Sequence, residues 1–84
     1  MTETKKIKVL PSEVKKIGLR LRGIRKKLGF GNYEDFANHY GLNRSQYGKY
    51  EAGSEDLRLS SLIKVLDKLD MNLSTFFNEE YDNL

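Results

Sequence analysis

Apolar residues recur at spacings of three and four along most of the chain, which is the period of an amphipathic α-helix. The first stripe of this kind consists of Val14, Ile17, Leu21, Ile24 and Leu28. Ser12 precedes it in the position of an N-cap, and Gly29 follows it where a helix commonly ends. The pattern predicts a long first helix, with lysines and arginines on its other faces.

Two shorter helices are predicted next, each introduced by an asparagine and ended by a glycine. Asn32 and Asn43 are suited to capping helix N-termini, and Gly41 and Gly53 are suited to helix ends. The apolar side of this pair consists of Phe36, Ala37, Tyr40, Tyr47 and Tyr50. Because the link between the two helices is so short, we expect them to pack against each other.

A second strong stripe predicts a fourth helix, and a short fifth helix follows it after Asn72. The fourth helix carries Leu59, Leu62, Ile63, Leu66 and Leu69, and the fifth carries Leu73, Phe76 and Phe77. Five helices with short links predict one all-α domain over residues 12–80. Residues 1–11 are predicted to be a basic N-terminal arm, and residues 81–84 a C-terminal tail.

The composition excludes several kinds of site. The 84 residues contain no cysteine, which removes disulfides, thiol catalysis and cysteine-bound zinc. His39 is the only histidine, so neither a transition-metal site nor a serine–histidine triad is expected. No apolar run approaches the ~18 residues of a membrane span. We expect a cytoplasmic domain without a cofactor, membrane contact or enzymatic activity.

The net charge of +3 conceals a strong asymmetry along the chain. Residues 1–30 carry ten lysines and arginines against two glutamates, a net charge of +8, whereas residues 31–84 carry a net charge of −5. This asymmetry indicates a polyanionic partner for the first third of the chain, and nucleic acid is the usual one. The alternative is a solvated helix face.

The segment from Tyr33 to Tyr50 has the features of a helix-turn-helix. Ala37 is small where the second helix of the motif must cross the first. Gly41 can adopt the left-handed backbone conformation that the turn needs. An ordinary helical hairpin is the alternative, but the matched positions together favour the DNA-binding motif.

Short motifs in a fixed order run from about Ile17 to Phe77. They are Leu21-x-x-Ile24-Arg25, Asn32-Tyr-Glu-Asp-Phe36-Ala37, Gly41-Leu42-Asn43-Arg44-Ser45, Tyr50-Glu51-x-Gly53, Leu62-x-x-x-Leu66-x-x-Leu69 and Asn72-Leu-Ser-Thr-Phe-Phe77. With these motifs the sequence resembles the phage-repressor/Cro-like helix-turn-helix proteins, the XRE family. The resemblance implies a compact five-helix lambda-repressor-like domain that binds operator DNA, usually as a homodimer.

The third helix is expected to read DNA, because in such domains it enters the major groove with its N-terminal residues on base edges. The predicted base-reading residues, named the recognition face below, are Arg44, Ser45, Gln46 and Lys49. On a helical wheel, Arg44, Ser45, Gly48 and Lys49 lie roughly opposite Tyr47 and Tyr50. Arg44 is the best candidate to bind guanine O6 and N7. We predict a sequence-specific DNA-binding transcriptional regulator.

Phosphate contacts are predicted where the second and third helices begin. Asn32 and Tyr33 open one helix and Asn43 caps the other, and exposed amide groups at helix N-termini bind anions. The resemblance further implies that Arg25 pairs with Glu51 and also faces the DNA backbone.

Some positions depart from the family pattern. Tyr33 stands where the family usually has glutamine, and Gly48 would let the third helix approach DNA closely. Glu55 and Asp56 stand where the family often has basic residues, and they would repel a DNA backbone that they faced. They support an alternative, a protein-interaction module that has lost DNA binding. Another alternative is an antitoxin that represses its own promoter while its tail holds a toxin.

The C-terminal end is apolar for an acidic region. Phe76 is expected in the core, and any of Phe77, Tyr81 and Leu84 that are exposed would form a self-association surface. A symmetric dimer would place two third helices ~34 Å apart on a near-palindromic site.

Overall fold

The computed structural model describes residues 12–84, which contain six helices. They are α1 (Ser12–Lys27), α2 (Tyr33–Tyr40), α3 (Arg44–Ala52), α4 (Leu59–Lys68), α5 (Leu73–Phe76) and α6 (Glu79–Asp82). The predicted all-α fold is confirmed. The short helix α6 was not predicted, and it includes part of the segment expected to be a tail. The predicted basic arm lies outside the described residues.

Asparagine side chains fix where the short helices begin. The side chains of Asn32 and Asn43 accept hydrogen bonds from the backbone amides three residues on, which confirms both predicted caps. Asn72 caps α5 in the same way, and Asn78 caps α6. The two helices of the helix-turn-helix end at glycines in the left-handed conformation, with φ of 69° at Gly41 and 66° at Gly53.

One apolar core joins the first five helices. Its buried members are Leu21, Ile24, Phe36, Ala37, Tyr47, Leu62, Val65, Leu66 and Phe76. Two predicted core positions are wrong at helix ends. Leu28 lies just beyond the end of α1 and is 47% exposed, and Leu59 is the first residue of α4 and is 59% exposed. Ile63 is exposed as well, because the inner side of α4 consists of Leu62, Val65 and Leu66.

The end of α3 lies directly against the backbone of α1. A Cβ atom added at Gly18 would lie 2.5 Å from the carbonyl oxygen of Glu51 and 2.6 Å from that of Tyr50. A Cβ atom at Gly53, just after α3, would lie 2.9 Å from the Cα of Lys15. The two glycines therefore allow a contact between α1 and α3 that no larger residue would permit.

Arg20 joins α1 to the C-terminal helices. Its Nε donates to the carbonyl oxygen of Phe76 at 2.8 Å, and its Nη2 donates to that of Thr75 at 3.0 Å. Its Nη1 pairs with the Glu80 carboxylate at 2.7 Å, and Lys27 pairs with the same carboxylate at 2.6 Å. The Arg20 guanidinium thus satisfies two carbonyls at the end of α5 and holds α6 through Glu80.

Tyr81 provides the second attachment of α6 to α1. Its hydroxyl donates a hydrogen bond to the carboxylate of Glu13, and the ammonium of Lys16 lies 4.5 Å from the centre of its ring. Partial burial and the neighbouring Glu13 carboxylate raise the pKa of Tyr81 to about 12. Tyr81 is therefore buried against α1, and it is not available to the predicted self-association surface.

Candidate nucleic-acid interface

Helix α3 has a buried side and an exposed side. Tyr47 and Glu51 are buried, whereas Arg44, Ser45 and Lys49 are exposed. The predicted inner side is confirmed for Tyr47. It is only partly right for Tyr50, which is half-buried, because Glu51 occupies the buried position instead. Arg44 and Ser45 lie in the first turn of the helix, and Lys49 lies about one turn further along.

A buried ion pair holds the inner side of α3 to α1. Arg25 donates to both carboxylate oxygens of Glu51, from Nε at 2.8 Å and from Nη2 at 3.1 Å. The two side chains are 7% and 4% exposed, and the hydrogen bond to Glu51 raises the pKa of Arg25. This confirms the pair that the family resemblance implied. Burial and the charge of Glu51 also raise the pKa of the adjacent Tyr47 hydroxyl.

The same geometry argues against the expected phosphate contact of Arg25, which stays a prediction. Its remaining nitrogen, Nη1, donates to the carbonyl oxygen of Phe30 at 3.0 Å, so all three guanidinium nitrogens have partners inside the protein. With 7% of the side chain exposed, Arg25 has little surface to offer to a DNA backbone. Its position is that of a structural residue that orients α3 through Glu51.

The ring of Tyr33 packs on Gly48. A Cβ atom added at Gly48 would lie 2.6 Å from Cε1 and 2.8 Å from Cζ of Tyr33. The interpretation that Gly48 opens the α3 backbone to DNA is therefore wrong on this side, because a tyrosine ring covers the glycine. Gly48 accommodates Tyr33, which is half-buried at the start of α2.

Glu55, in the loop after α3, contacts two residues of the recognition face. The amide nitrogen Nε2 of Gln46 donates to Oε1 of Glu55 at 2.9 Å. The Nζ of Lys49 lies 3.4 Å from Oε2 of the same carboxylate. Within residues 12–84, Arg44 has no acidic partner. Glu55 thus pairs with residues on α3, which gives this acidic position a role within the domain.

The chain is similar to a solved structure, that of the restriction-modification controller protein C.AhdI from Aeromonas hydrophila, with a TM-score of 0.62 and 32% sequence identity. The matched region covers 74% of this chain and 92% of that chain. This chain belongs to the phage-repressor/Cro-like helix-turn-helix family, the XRE family. The sequence matches no protein-family profile and no curated protein.

As an XRE-family domain, the chain uses α2 and α3 as its helix-turn-helix, and the predicted motif residues occupy structural positions. Ala37 is fully buried between the helices, Gly41 has the left-handed conformation at the turn, and Glu51 is buried on Arg25. Sequence reasoning missed the contacts of Gly18 with α3 and of Glu55 with Gln46 and Lys49, because they join residues distant along the chain or across a loop.

The remaining predicted DNA contacts of this XRE-family domain lie at helix starts. Asn32 and Asn43 are both exposed and both serve as N-caps, while Tyr33 is half-buried next to Asn32. Their contacts with phosphate stay predictions. Within the described residues, no helix is long and apolar enough to cross a membrane.

Proposed function

We propose that this protein is a sequence-specific DNA-binding transcriptional regulator whose α3 enters the major groove of operator DNA. The observation that carries the proposal is the division of α3. Its inner side is fixed to α1 through Glu51, and its outer side exposes Arg44, Ser45 and Lys49. Membership of the XRE family supports the same role, since a helix-turn-helix presents the N-terminal part of its second helix to base edges.

Arg44 is the principal base-reading residue in this proposal. It is exposed at the first position of α3 and has no acidic partner within residues 12–84. An arginine on guanine O6 and N7 contributes ~1–3 kcal/mol of discrimination. Ser45 lies beside Arg44, and Gln46 and Lys49 complete the recognition face. Asn32, Tyr33 and Asn43 stand at the starts of α2 and α3, where backbone amides favour a phosphate.

Selection of bound duplexes from a random-sequence library tests this proposal. The wild-type protein is expected to enrich one motif, and Arg44→Ala is expected to weaken binding to the selected duplex by roughly 5- to 150-fold. Lys27→Ala is the matched control, because it removes an exposed cation that pairs with Glu80 of α6. The absence of an enriched motif, or an equal loss in both variants, would contradict the proposal.

A homodimer is part of the proposed regulator. The support is an apolar groove between α4 and α5, lined by Ile63, Leu66, Met71 and Leu73, with Ile63 and Leu73 exposed. Phe77 and Leu84 are also exposed. Sedimentation velocity tests this part: Ile63→Glu is expected to shift a dimer to a monomer. A wild-type monomer, both alone and on the selected duplex, would contradict the dimer.

The likeness to C.AhdI favours a more specific role, the control of restriction-modification genes. If this role is correct, the selected motif is expected upstream of such genes in the source genome. A reporter fused to that upstream region should then respond to the protein, and the Arg44→Ala variant should abolish the response. A motif found only at unrelated genes would contradict this role and leave DNA binding intact.

A further inference from the structure

Glu55, Gln46 and Lys49 form a contact set, the Glu55 bridge, on the edge of the recognition face. One carboxylate oxygen accepts from the Gln46 amide at 2.9 Å, and the other lies 3.4 Å from the Lys49 ammonium. Two of the four predicted base-reading residues are therefore occupied by an acid of their own domain. An acid beside a DNA-binding surface requires an explanation, because it opposes the charge of the ligand.

The charge of Glu55 weakens binding to any DNA sequence. A carboxylate beside the recognition face repels phosphates, and its pairing with Lys49 removes one cation from the interaction. Binding to DNA of arbitrary sequence is almost entirely electrostatic and follows the number of phosphates that are neutralised. The Glu55 bridge consequently lowers the affinity for DNA that offers no specific base contact.

The hydrogen bond from Gln46 has a different consequence. Once one N–H of the amide is donated to Glu55, a second N–H and the carbonyl oxygen remain available. That donor and acceptor match the N7 and N6 groups that adenine presents in the major groove. An amide held in one orientation also loses less conformational freedom on binding, so the Glu55 bridge prepares Gln46 for one kind of base edge.

The ion pair between Lys49 and Glu55 can break when the protein binds its cognate DNA sequence. The side chains of Lys49 and Glu55 are 49% and 44% exposed, and ion pairs at such exposure are weak. A guanine O6 or N7 within reach of Lys49 can therefore replace Glu55. A sequence without that acceptor leaves Lys49 on Glu55, and the repulsion between Glu55 and the phosphates persists.

From this geometry we infer that Glu55 is a specificity-determining residue, which suppresses binding to non-cognate DNA more than binding to the cognate sequence. The inference rests on the proposed function, since it concerns the same face of α3 and the same ligand. It also accounts for an acidic residue in a loop where the family often has basic ones.

Glu55→Gln tests the inference, because it keeps a side chain that can accept from Gln46 and removes the charge. The probes are the duplex selected from the random library and a scrambled duplex of the same length. Affinity for the scrambled duplex is expected to rise ~3- to 10-fold. The slope of log affinity against log salt is expected to steepen by about 0.9, the value for one phosphate. Affinity for the selected duplex is expected to change less, so the ratio of the two affinities falls.

Asp56→Asn is the matched control, since Asp56 is the neighbour of Glu55 and carries an equal charge. Unlike Glu55, its side chain makes no ion pair within residues 12–84. It is expected to leave the affinity ratio nearly unchanged. Circular dichroism of each variant establishes that it is folded. An equal effect of Asp56→Asn and Glu55→Gln, or equal gains on both duplexes, would overturn the inference.

Lys49→Ala supplies the second readout. If Glu55 acts through Lys49, the gain on scrambled DNA from Glu55→Gln is expected to fall to less than half in the Lys49→Ala background. An undiminished gain would overturn the role of the bridge. A wild-type protein that enriches no sequence would refute the proposed function itself. A protein that enriches one motif, with a ratio unchanged by Glu55→Gln, would refute only the inference about Glu55.

Discussion

Helix α1 carries two buried arginines, and they serve two different parts of the molecule. Arg25 meets a carboxylate that is itself buried, that of Glu51 in α3. Arg20 meets two backbone carbonyls at the end of α5 and the carboxylate of Glu80, which is 51% exposed. Both arginines have their charge compensated, but only for Arg25 is the compensating carboxylate buried as well.

This difference determines how strongly the loss of a side chain destabilises each region. Around Arg25, the loss of Glu51 leaves the buried guanidinium without a counter-charge inside the protein, which is costly. The loss of Arg25 would leave Glu51 only the half-exposed Arg22, whose Nε lies 3.9 Å from its carboxylate. Around Arg20, water can solvate Glu80 when the arginine is lost, so the main cost is the two carbonyls left without donors. The region around Arg25, called the recognition side below, is therefore expected to be more destabilised by the loss of a partner than the region around Arg20, called the C-terminal side.

Removal of the acid on the recognition side should have the largest effect. Glu51→Ala leaves the Arg25 guanidinium buried and unpaired, and we expect a loss of about 3–5 kcal/mol in the free energy of unfolding. Urea denaturation followed by circular dichroism measures this change. The double substitution Arg25→Met, Glu51→Leu should be more stable than Glu51→Ala, since it removes both charges. A double variant no more stable than the single one would argue against this account.

Removal of the arginine on the C-terminal side should rank second. Arg20→Ala leaves the carbonyls of Thr75 and Phe76 without their donor, and we expect a loss of about 2–3 kcal/mol in the free energy of unfolding. The same urea titration applies. Lys27→Ala is the control, because it removes an exposed partner of the same Glu80 and should change stability little. If Arg20→Ala cost more than Glu51→Ala, the ranking of the two regions would be reversed.

A smaller loss of stability is expected from a substitution that crowds the contact between α1 and α3. Gly18→Ala places a methyl group against the carbonyls of Tyr50 and Glu51, and we expect a net loss of about 1–2 kcal/mol despite the better helix propensity of alanine. Gly23→Ala is the matched control in the same helix, because a Cβ atom there would meet nothing within 4 Å. Gly23→Ala should therefore be neutral or stabilising in thermal unfolding. Equal effects of the two substitutions would show that the close approach is not the cause.

The smallest effect expected is a pH dependence of the stability that Glu80 contributes on the C-terminal side. Pairing with Lys27 and then with Arg20 lowers the pKa of Glu80. A lowered pKa means that the carboxylate stabilises the fold above its ordinary pKa and loses this contribution as pH falls through the lowered value. The difference in stability between the wild type and Glu80→Gln should therefore shrink between about pH 7 and about pH 3. A difference that stays constant with pH would mean that the charge of Glu80 contributes nothing.

Local signals explain what the sequence could predict. Asn32, Asn43 and Asn72 cap helices through bonds to amides a few residues away, and the glycines at positions 41 and 53 end helices through their own backbone conformation. Such features depend on short stretches of chain, so their residue types and spacings predicted them. The helix-turn-helix and the inner position of Tyr47 follow from the same local reasoning.

Contacts between distant segments explain what was missed. Arg20 reaches carbonyls more than 50 residues away, and a backbone carbonyl leaves no trace in residue type. From the sequence alone Gly18 is only an unfavourable helix residue, because its contact with the backbone of α3 is visible only in the folded structure. The pair of Arg25 and Glu51 was expected only because of the family resemblance. Exposure of the helix-end residues Leu28 and Leu59 was missed because periodicity does not reveal where a helix leaves the core.

The contact at Gly18 also has a mechanical consequence for α3. The C-terminal end of α3 is fixed between the Gly18 backbone and Arg25, while its first residue, Arg44, lies at the far end of nine residues. At ~1.5 Å per residue this lever is about 13 Å long, so a tilt of about 10° at the anchored end would move Arg44 by about 2 Å. A displacement of that size would break the hydrogen bonds that Arg44 is proposed to make with base edges. The orientation of the N-terminal end of α3 therefore depends in part on a glycine at the opposite end of the helix.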